Sequence, residues 1–163
     1  MNANKILLQN KLLSGLAGMI VLCAGIAPAI AADPAHATSR CERQFEAAQR
    51  MDMESFRDYD AETFRAVHVD DAVTVFGSGV VFVGIDTIMN VLSGHFQNRE
   101  AIWEWTERYR TVQGCKTAFI LYETTYTVPS SGFVARALTG VSYTHKRGAW
   151  LAVADQGTPL PPR

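Results

Sequence analysis

Two periodicities divide the chain. Over residues 40–57 apolar side chains fall at Phe45, Ala48, Met51 and Phe56 with charged residues between them, the spacing of a helix that buries one stripe. A tight Asp58-Tyr59-Asp60 bend follows, and Asp60 reads as the N-cap of a second, short helix that turns Phe64 and Val67 inward. Beyond Asp70-Asp71 the pattern becomes that of strands. Two β-branched runs, 72–76 and 80–83, flank Gly77-Ser78-Gly79 and predict a hairpin. Gly84 ends it, and Asp86 caps a third helix carrying Ile88, Val91, Leu92 and Phe96. The rest predicts four long strands, 101–112, 116–128, 133–145 and 149–156, with turns at Gly114, at 129–132 and at Arg147-Gly148. Strands joined by tight turns make an antiparallel sheet that needs cover on one face, and three helices are available, so the expected class is α+β.

Ahead of this domain lie Lys5 and Lys11, an apolar run over 12–26, and the small-residue ending Ala29-Ile30-Ala31. That order is a secretory signal peptide, residues 1–31, with cleavage after Ala31. A membrane anchor is the alternative, since the run is nearly long enough to span a bilayer. Gly15, Gly18, Gly25 and Pro28 weaken such a span. Residues 32–39 read as a flexible leader, and 40–163 as one domain, located in the periplasm or secreted.

Composition narrows the partners. The full chain has 15 basic and 16 acidic residues, and both basic residues of the signal leave with it. The remaining acidic balance argues against nucleic acid or an anionic lipid surface. Removal of the signal also takes Cys23 away, leaving Cys41 and Cys115. In an oxidising compartment this even pair is a disulfide candidate, with two buried free thiols as the alternative.

The order helix, helix, hairpin, helix, long antiparallel meander resembles the plan of the nuclear transport factor 2-like (NTF2-like) superfamily, which includes SnoaL-like polyketide cyclases and ketosteroid isomerases. The residues that carry the resemblance are Tyr59-Asp60-Ala61-Glu62, Asp70-Asp71-Ala72-Val73, Gly84-Ile85-Asp86-Thr87-Ile88 and Gly148-Ala149-Trp150-Leu151. The resemblance implies a cone: a curved antiparallel sheet wrapped around three N-terminal helices, with a cavity at the wide end, in proteins that are often homodimers. It leaves function open, because the fold hosts enzymes, carriers and adaptors. Steroid isomerisation in this fold needs a carboxylate base and two oxyanion donors, Tyr and protonated Asp. An ungapped placement on that pattern puts Phe76 at the base and Asp52 and Gly140 at the donors, so the pattern is unfilled.

Alternation along the first long strand puts Trp103, Trp105, Glu107, Tyr109 and Thr111 on one face. If that face looks into the cone, its rings form an apolar wall for a small hydrophobic or aromatic molecule, and Glu107 is an acid or base with a raised pKa. Packing in the core or at a dimer face is the plainer reading. Tyr122, Thr124 and Tyr126 share a face of the next strand and could add hydroxyls. His68 and Asp155 complete the candidate acid-base set, Asp155 standing where the last strand meets the cavity mouth, with Gln156 on the opposite face. His36, His68, His95 and His145 lack metal-ligand spacing, so no metal or other cofactor is expected. The leading expectation is an exported domain that binds a small hydrophobic molecule, with cyclase, isomerase or dehydratase chemistry. The alternative is an interaction or dimerisation module that uses the open sheet face.

Overall fold

The structure is a computed structural model, and it describes residues 34–161. The expected signal peptide, residues 1–31, lies outside them. The chain forms helix α1 (Pro34–Arg57), α2 (Ala61–Ala66), strands β1 (His68–Val75) and β2 (Val81–Val83), helices α3 (Ile85–Val91) and α4 (Ser93–Asn98), then β3 (Ile102–Gln113), β4 (Thr117–Val128), β5 (Phe133–Lys146) and β6 (Ala149–Pro159). The six strands form one sheet in the order β2-β1-β6-β5-β4-β3. This is the expected α+β plan, a curved sheet with the helices grouped at the N-terminal side.

Three details differ from the sequence reading. Helix α1 begins at Pro34, six residues before the expected start, over a stretch read as leader. The third helix is two short ones: Leu92 ends α3 and opens α4, and Asp86 sits in the first turn of α3 instead of capping it. Gly84 is the N-cap there at φ 88°, a left-handed conformation that suits glycine. The Asp86 carboxylate instead pairs with Arg65 of α2. Finally, β1 runs parallel to β6, so the sheet is antiparallel except at this one seam. Asp60 does cap α2, accepting from the Thr63 backbone N–H at 3.0 Å, and Phe64 and Val67 are buried as expected.

Why α1 lies across the sheet follows from its buried stripe. Phe45, Gln49, Asp52 and Met53 recur at helical spacing and are all buried. The apolar members enter a cluster with Ile120, Tyr122, Val141, Tyr143 and Trp150 of the sheet, where the Phe45 ring meets Tyr143 and Trp150 edge-on at 5.2 and 5.3 Å. The polar members latch to strands. Tyr122 Oη donates to Gln49 Oε1 at 2.5 Å, Tyr143 Oη donates to Asp52 Oδ2 at 2.6 Å, and Trp150 Nε1 donates to the Cys41 carbonyl at 3.2 Å. Cys41 and Cys115 are joined in a disulfide across 74 residues, tying the start of this helix to the β3–β4 turn. Under the chain-entropy account such a closure stabilises the fold by about 4 kcal/mol. Among the described residues no helix is long and apolar enough to cross a membrane.

Candidate functional site

The sheet's inner face changes character along its strands, and the change creates a space. On β5 the inward series passes from Tyr143 and Val141 to Thr139, Ala137 and Ala135, and on β6 from Trp150 and Ala152 to Asp155 and Gly157. Where the residues become small, a cavity of about 1180 Å³ opens. Its other walls are aromatic: Phe56 from α1, Phe64 from α2, Trp103 from β3 and Tyr126 from β4, with Phe76 and Phe133 at the rim. The volume is slightly above the range usual for sites that take drug-sized molecules.

Polar groups are few and grouped. Asp155 sits beside Thr74 across the parallel seam, and Thr74 Oγ1 donates to its Oδ2 at 2.7 Å. Burial pushes the Asp155 carboxyl up to about 6; the Thr74 hydrogen bond opposes this, the nearby Asp52 charge adds to it and His68 opposes it. Asp155 is therefore poised to take or give a proton near neutrality. Asp52, fully buried at the same wall, is also raised, chiefly by desolvation, against the pull of His68 and of the Tyr143 hydroxyl. His68 Nδ1 lies 2.7 Å from the Phe64 carbonyl, which can only accept, so Nδ1 carries a proton and Nε2 faces Asp52 Oδ1 at 3.9 Å.

The same reasoning fixes a second histidine. His95 stacks on the Phe56 ring at 3.8 Å, and its Nε2 lies 2.7 Å from the Phe56 carbonyl, so Nε2–H donates. Burial lowers the His95 pKa. The neutral ring then accepts at Nδ1 from the Tyr126 hydroxyl at 3.2 Å. A third polar element is the contact between Thr124 and Thr139, whose hydroxyls meet at 2.8 Å.

Of the residues singled out from sequence, Asp155, Trp103, Thr124 and Tyr126 line the cavity, and His68 stands behind Asp52. The others do not line it. Trp105 packs beside the filled core with the Arg57 guanidinium over its ring at 5.5 Å. Tyr122 is buried and its hydroxyl is held by Gln49. Glu107 lies outside the cavity, paired with Arg110, which also reaches Glu46 of α1. Tyr109 is 56 % exposed. The cause for Tyr109 is a register shift between Glu107 and Tyr109: a bulge interrupts the period of two, so residues beyond it change face. No local sequence signal announced that bulge.

Asp52, Thr74, Thr139 and His95 are site residues that the sequence reading did not select. For Asp52 a signal existed, because it falls seven residues after Phe45 on the face that must be buried, where an unpaired carboxylate is costly. The ketosteroid isomerase placement is corrected in part. Asp52 does face the cavity and Phe76 stands at its rim. Gly140 faces the other side of the sheet, where an added Cβ would meet the Phe119 ring at 3.0 Å. Among the described residues no group of three or more His, Cys, Asp or Glu is placed to hold a metal ion.

No protein-family model and no curated protein matches the sequence. Solved structures do. A ketosteroid isomerase-like protein from Erwinia carotovora atroseptica is 19% identical, with a TM-score of 0.61 over 74% of this chain and 96% of its own. A protein designated a dehydratase of the NTF2-like family, from Streptomyces avermitilis, is 15% identical, with a TM-score of 0.60 over 77% of this chain and 99% of its own. An uncharacterised protein with a cystatin-like fold from Caulobacter vibrioides is 14% identical, with a TM-score of 0.63 over 76% and 92%. At these identities the likeness establishes architecture and not activity. The helices first, the hairpin, and the four-stranded meander around an apolar cavity place this chain in the NTF2-like, cystatin-like fold.

Proposed function

We propose that the protein binds a small hydrophobic molecule in the cavity and moves a proton on it, in the manner of an isomerase, cyclase or dehydratase, after export from the cytoplasm. The observation that carries this reading is Asp155, a carboxyl pushed up to about 6 by burial in a largely apolar chamber of about 1180 Å³. A general base works best when its pKa lies near the working pH, and the apolar rings around it strengthen its interaction with a ligand proton. Asp155 takes the proton. Thr74 orients it, and the Tyr126 hydroxyl, whose own hydrogen points at His95, offers an oxygen to a donor group of the ligand. Export is supported by the Cys41–Cys115 disulfide, which belongs to an oxidising compartment.

The test has two stages. Uncharged hydrophobic and aromatic metabolites are screened by thermal shift against the purified protein, and each binder is then incubated with it in deuterium oxide. Deuterium appears in the binder by mass spectrometry with the wild type, and Asp155→Asn lowers that incorporation at least about a hundredfold, the scale of a lost general base, while binding persists. Binders that take up no deuterium above the buffer rate would reduce the protein to a carrier. For export, mass spectrometry of secreted or periplasmic material is expected to begin at Ala32.

A further inference from the structure

The charges that face the cavity can be placed one by one, and inside it one carboxylate stands without a cation beside it. On β5, Arg136 stands at the rim, where its guanidinium is held by Glu123 at 2.6 Å, a carboxylate it shares with Arg108, and by the Pro161 carbonyl at 3.0 Å. His95, from α4, is shifted toward the neutral ring by burial, against the pull of the Phe56 carbonyl, and its Nδ1 accepts from the Tyr126 hydroxyl. Asp52 of α1 and His68 of β1 face each other at 3.9 Å with both side chains buried. A lone charge is costly there, and a charge on Asp52 has His68 beside it within the wall. Tyr143 of β5 is fully buried, donates to Asp52, and its pKa is raised well above the ordinary tyrosine value, so it stays neutral. The group left is Asp155. Its Oδ2 accepts from Thr74, and among the described residues Oδ1 makes no hydrogen bond.

We infer that the cavity selects its ligand by charge, admitting uncharged hydrophobic molecules and rejecting hydrophobic anions, with Asp155 as the residue that sets the selection. The inference rests on the reading that this cavity binds a small molecule, and deepens it. Among the described residues the one guanidinium that fatty acids, aromatic carboxylates and phosphate esters find at the chamber is that of Arg136, already held at the rim by Glu123 and the Pro161 carbonyl, and farther in they meet a carboxylate. Molecules with hydroxyl or phenol groups find an acceptor in Asp155 Oδ1, and a carbonyl group can accept from the Thr124–Thr139 hydroxyl pair. Near the apolar walls such a charge is weakly screened, so its effect on an anion outlasts moderate salt.

Two fluorescent probes of nearly the same skeleton test this: N-phenylnaphthylamine, which is uncharged, and anilinonaphthalene sulfonate, which is an anion at every accessible pH. Both are titrated into the purified wild type and Asp155→Asn at pH 8 and pH 5. The neutral probe is the reference: whatever change it shows with pH or in the variant reports uncharged contacts with residue 155 and is divided out of the change seen with the anionic probe. In the wild type the anionic probe is expected to tighten by about tenfold or more from pH 8 to pH 5, as the repulsive charge is removed. In Asp155→Asn it should already bind at pH 8 as the wild type does at pH 5. A change between pH 8 and pH 5 at any other group of the wall would persist in the variant, so the variant separates it from the effect of Asp155. An anion affinity that ignores both pH and Asp155→Asn overturns the charge selection while leaving the cavity as a binding site. If neither probe binds, the binding proposal falls, and this inference with it.

Discussion

The two ends of the sheet's inner face use the same strands and reach opposite results. At one end Phe45, Ile120, Tyr122, Val141, Tyr143 and Trp150 fill the space between α1 and the sheet, pinned by the disulfide and by three helix-to-strand hydrogen bonds. At the other end the same strands present Thr124, Ala135, Ala137, Thr139 and Gly157, and the space stays open. Side-chain volume makes the difference, since backbone hydrogen bonding continues through both ends along β4 and β5. The filled end supplies stability. The open end gives some up, because a buried carboxyl and unfilled space both cost free energy.

The largest expected effect breaks that contrast at the filled end. Trp150 is 3% exposed, packs edge-on against Phe45 and donates to the Cys41 carbonyl. Trp150→Ala should lower the unfolding free energy by about 3–5 kcal/mol, as for other large-to-small changes in packed cores. Phe133 at the cavity rim is equally aromatic but 53% exposed, and Phe133→Ala should stay within about 0.5 kcal/mol. Urea denaturation of the two variants measures both, and similar losses would mean that the ends do not divide their roles in this way.

A smaller effect concerns pH. An ordinary aspartate titrates near 4 when unfolded, whereas folding raises Asp155 to about 6. Between these values the folded state binds the proton more tightly than the unfolded state. Its contribution to stability is therefore complete below about pH 4 and is lost as pH rises through about 6. The difference is on the order of 3 kcal/mol. Asp52 is raised as well and acts in the same direction, while Glu123, lowered to about 2 by Arg108 and Arg136, acts oppositely at more acidic pH. Asp155→Asn should be more stable than the wild type at pH 8 by about 1–2 kcal/mol, with the gap closing toward pH 4. A variant less stable than the wild type at pH 8 would show that the carboxylate is better accommodated than its surroundings imply.

The sequence made the framework legible because the framework depends on local pattern. Alternation located the four long strands to within a few residues, the Asp60 cap placed α2, and the even pair of cysteines pointed to the bond between Cys41 and Cys115. The site was only half legible, because it depends on register and depth. Asp155 and Tyr126 were reachable by counting along strands. Tyr109 was separated from the aromatic wall by a bulge that no turn residue marks, and Glu107, on the near side of it, is paired with Arg110. His68 follows α2 closely in the chain, and its ring bonds the Phe64 carbonyl of that helix. Its approach to Asp52 depends on how β1 lies against α1, and that distance is not written in either segment.

The smallest expected effect sharpens the contrast at the open end. Trp103 stands in the cavity wall within 5.3 Å of the Phe56 ring, yet its indole Nε1 is buried without an acceptor among the described residues. A buried donor left unpaired costs about 1–3 kcal/mol, whereas the ring itself contributes by packing. Trp103→Phe removes the donor and keeps a ring, at the expense of some buried area. The two terms oppose each other, so the net change in urea denaturation should lie within about 1 kcal/mol of zero. That outcome would differ sharply from the same substitution at Trp150, whose N–H is satisfied and whose space is filled: there both terms are unfavourable. If Trp103→Phe is as damaging as Trp150→Phe, the open end is packed as tightly as the filled one, and its space is not available to a guest.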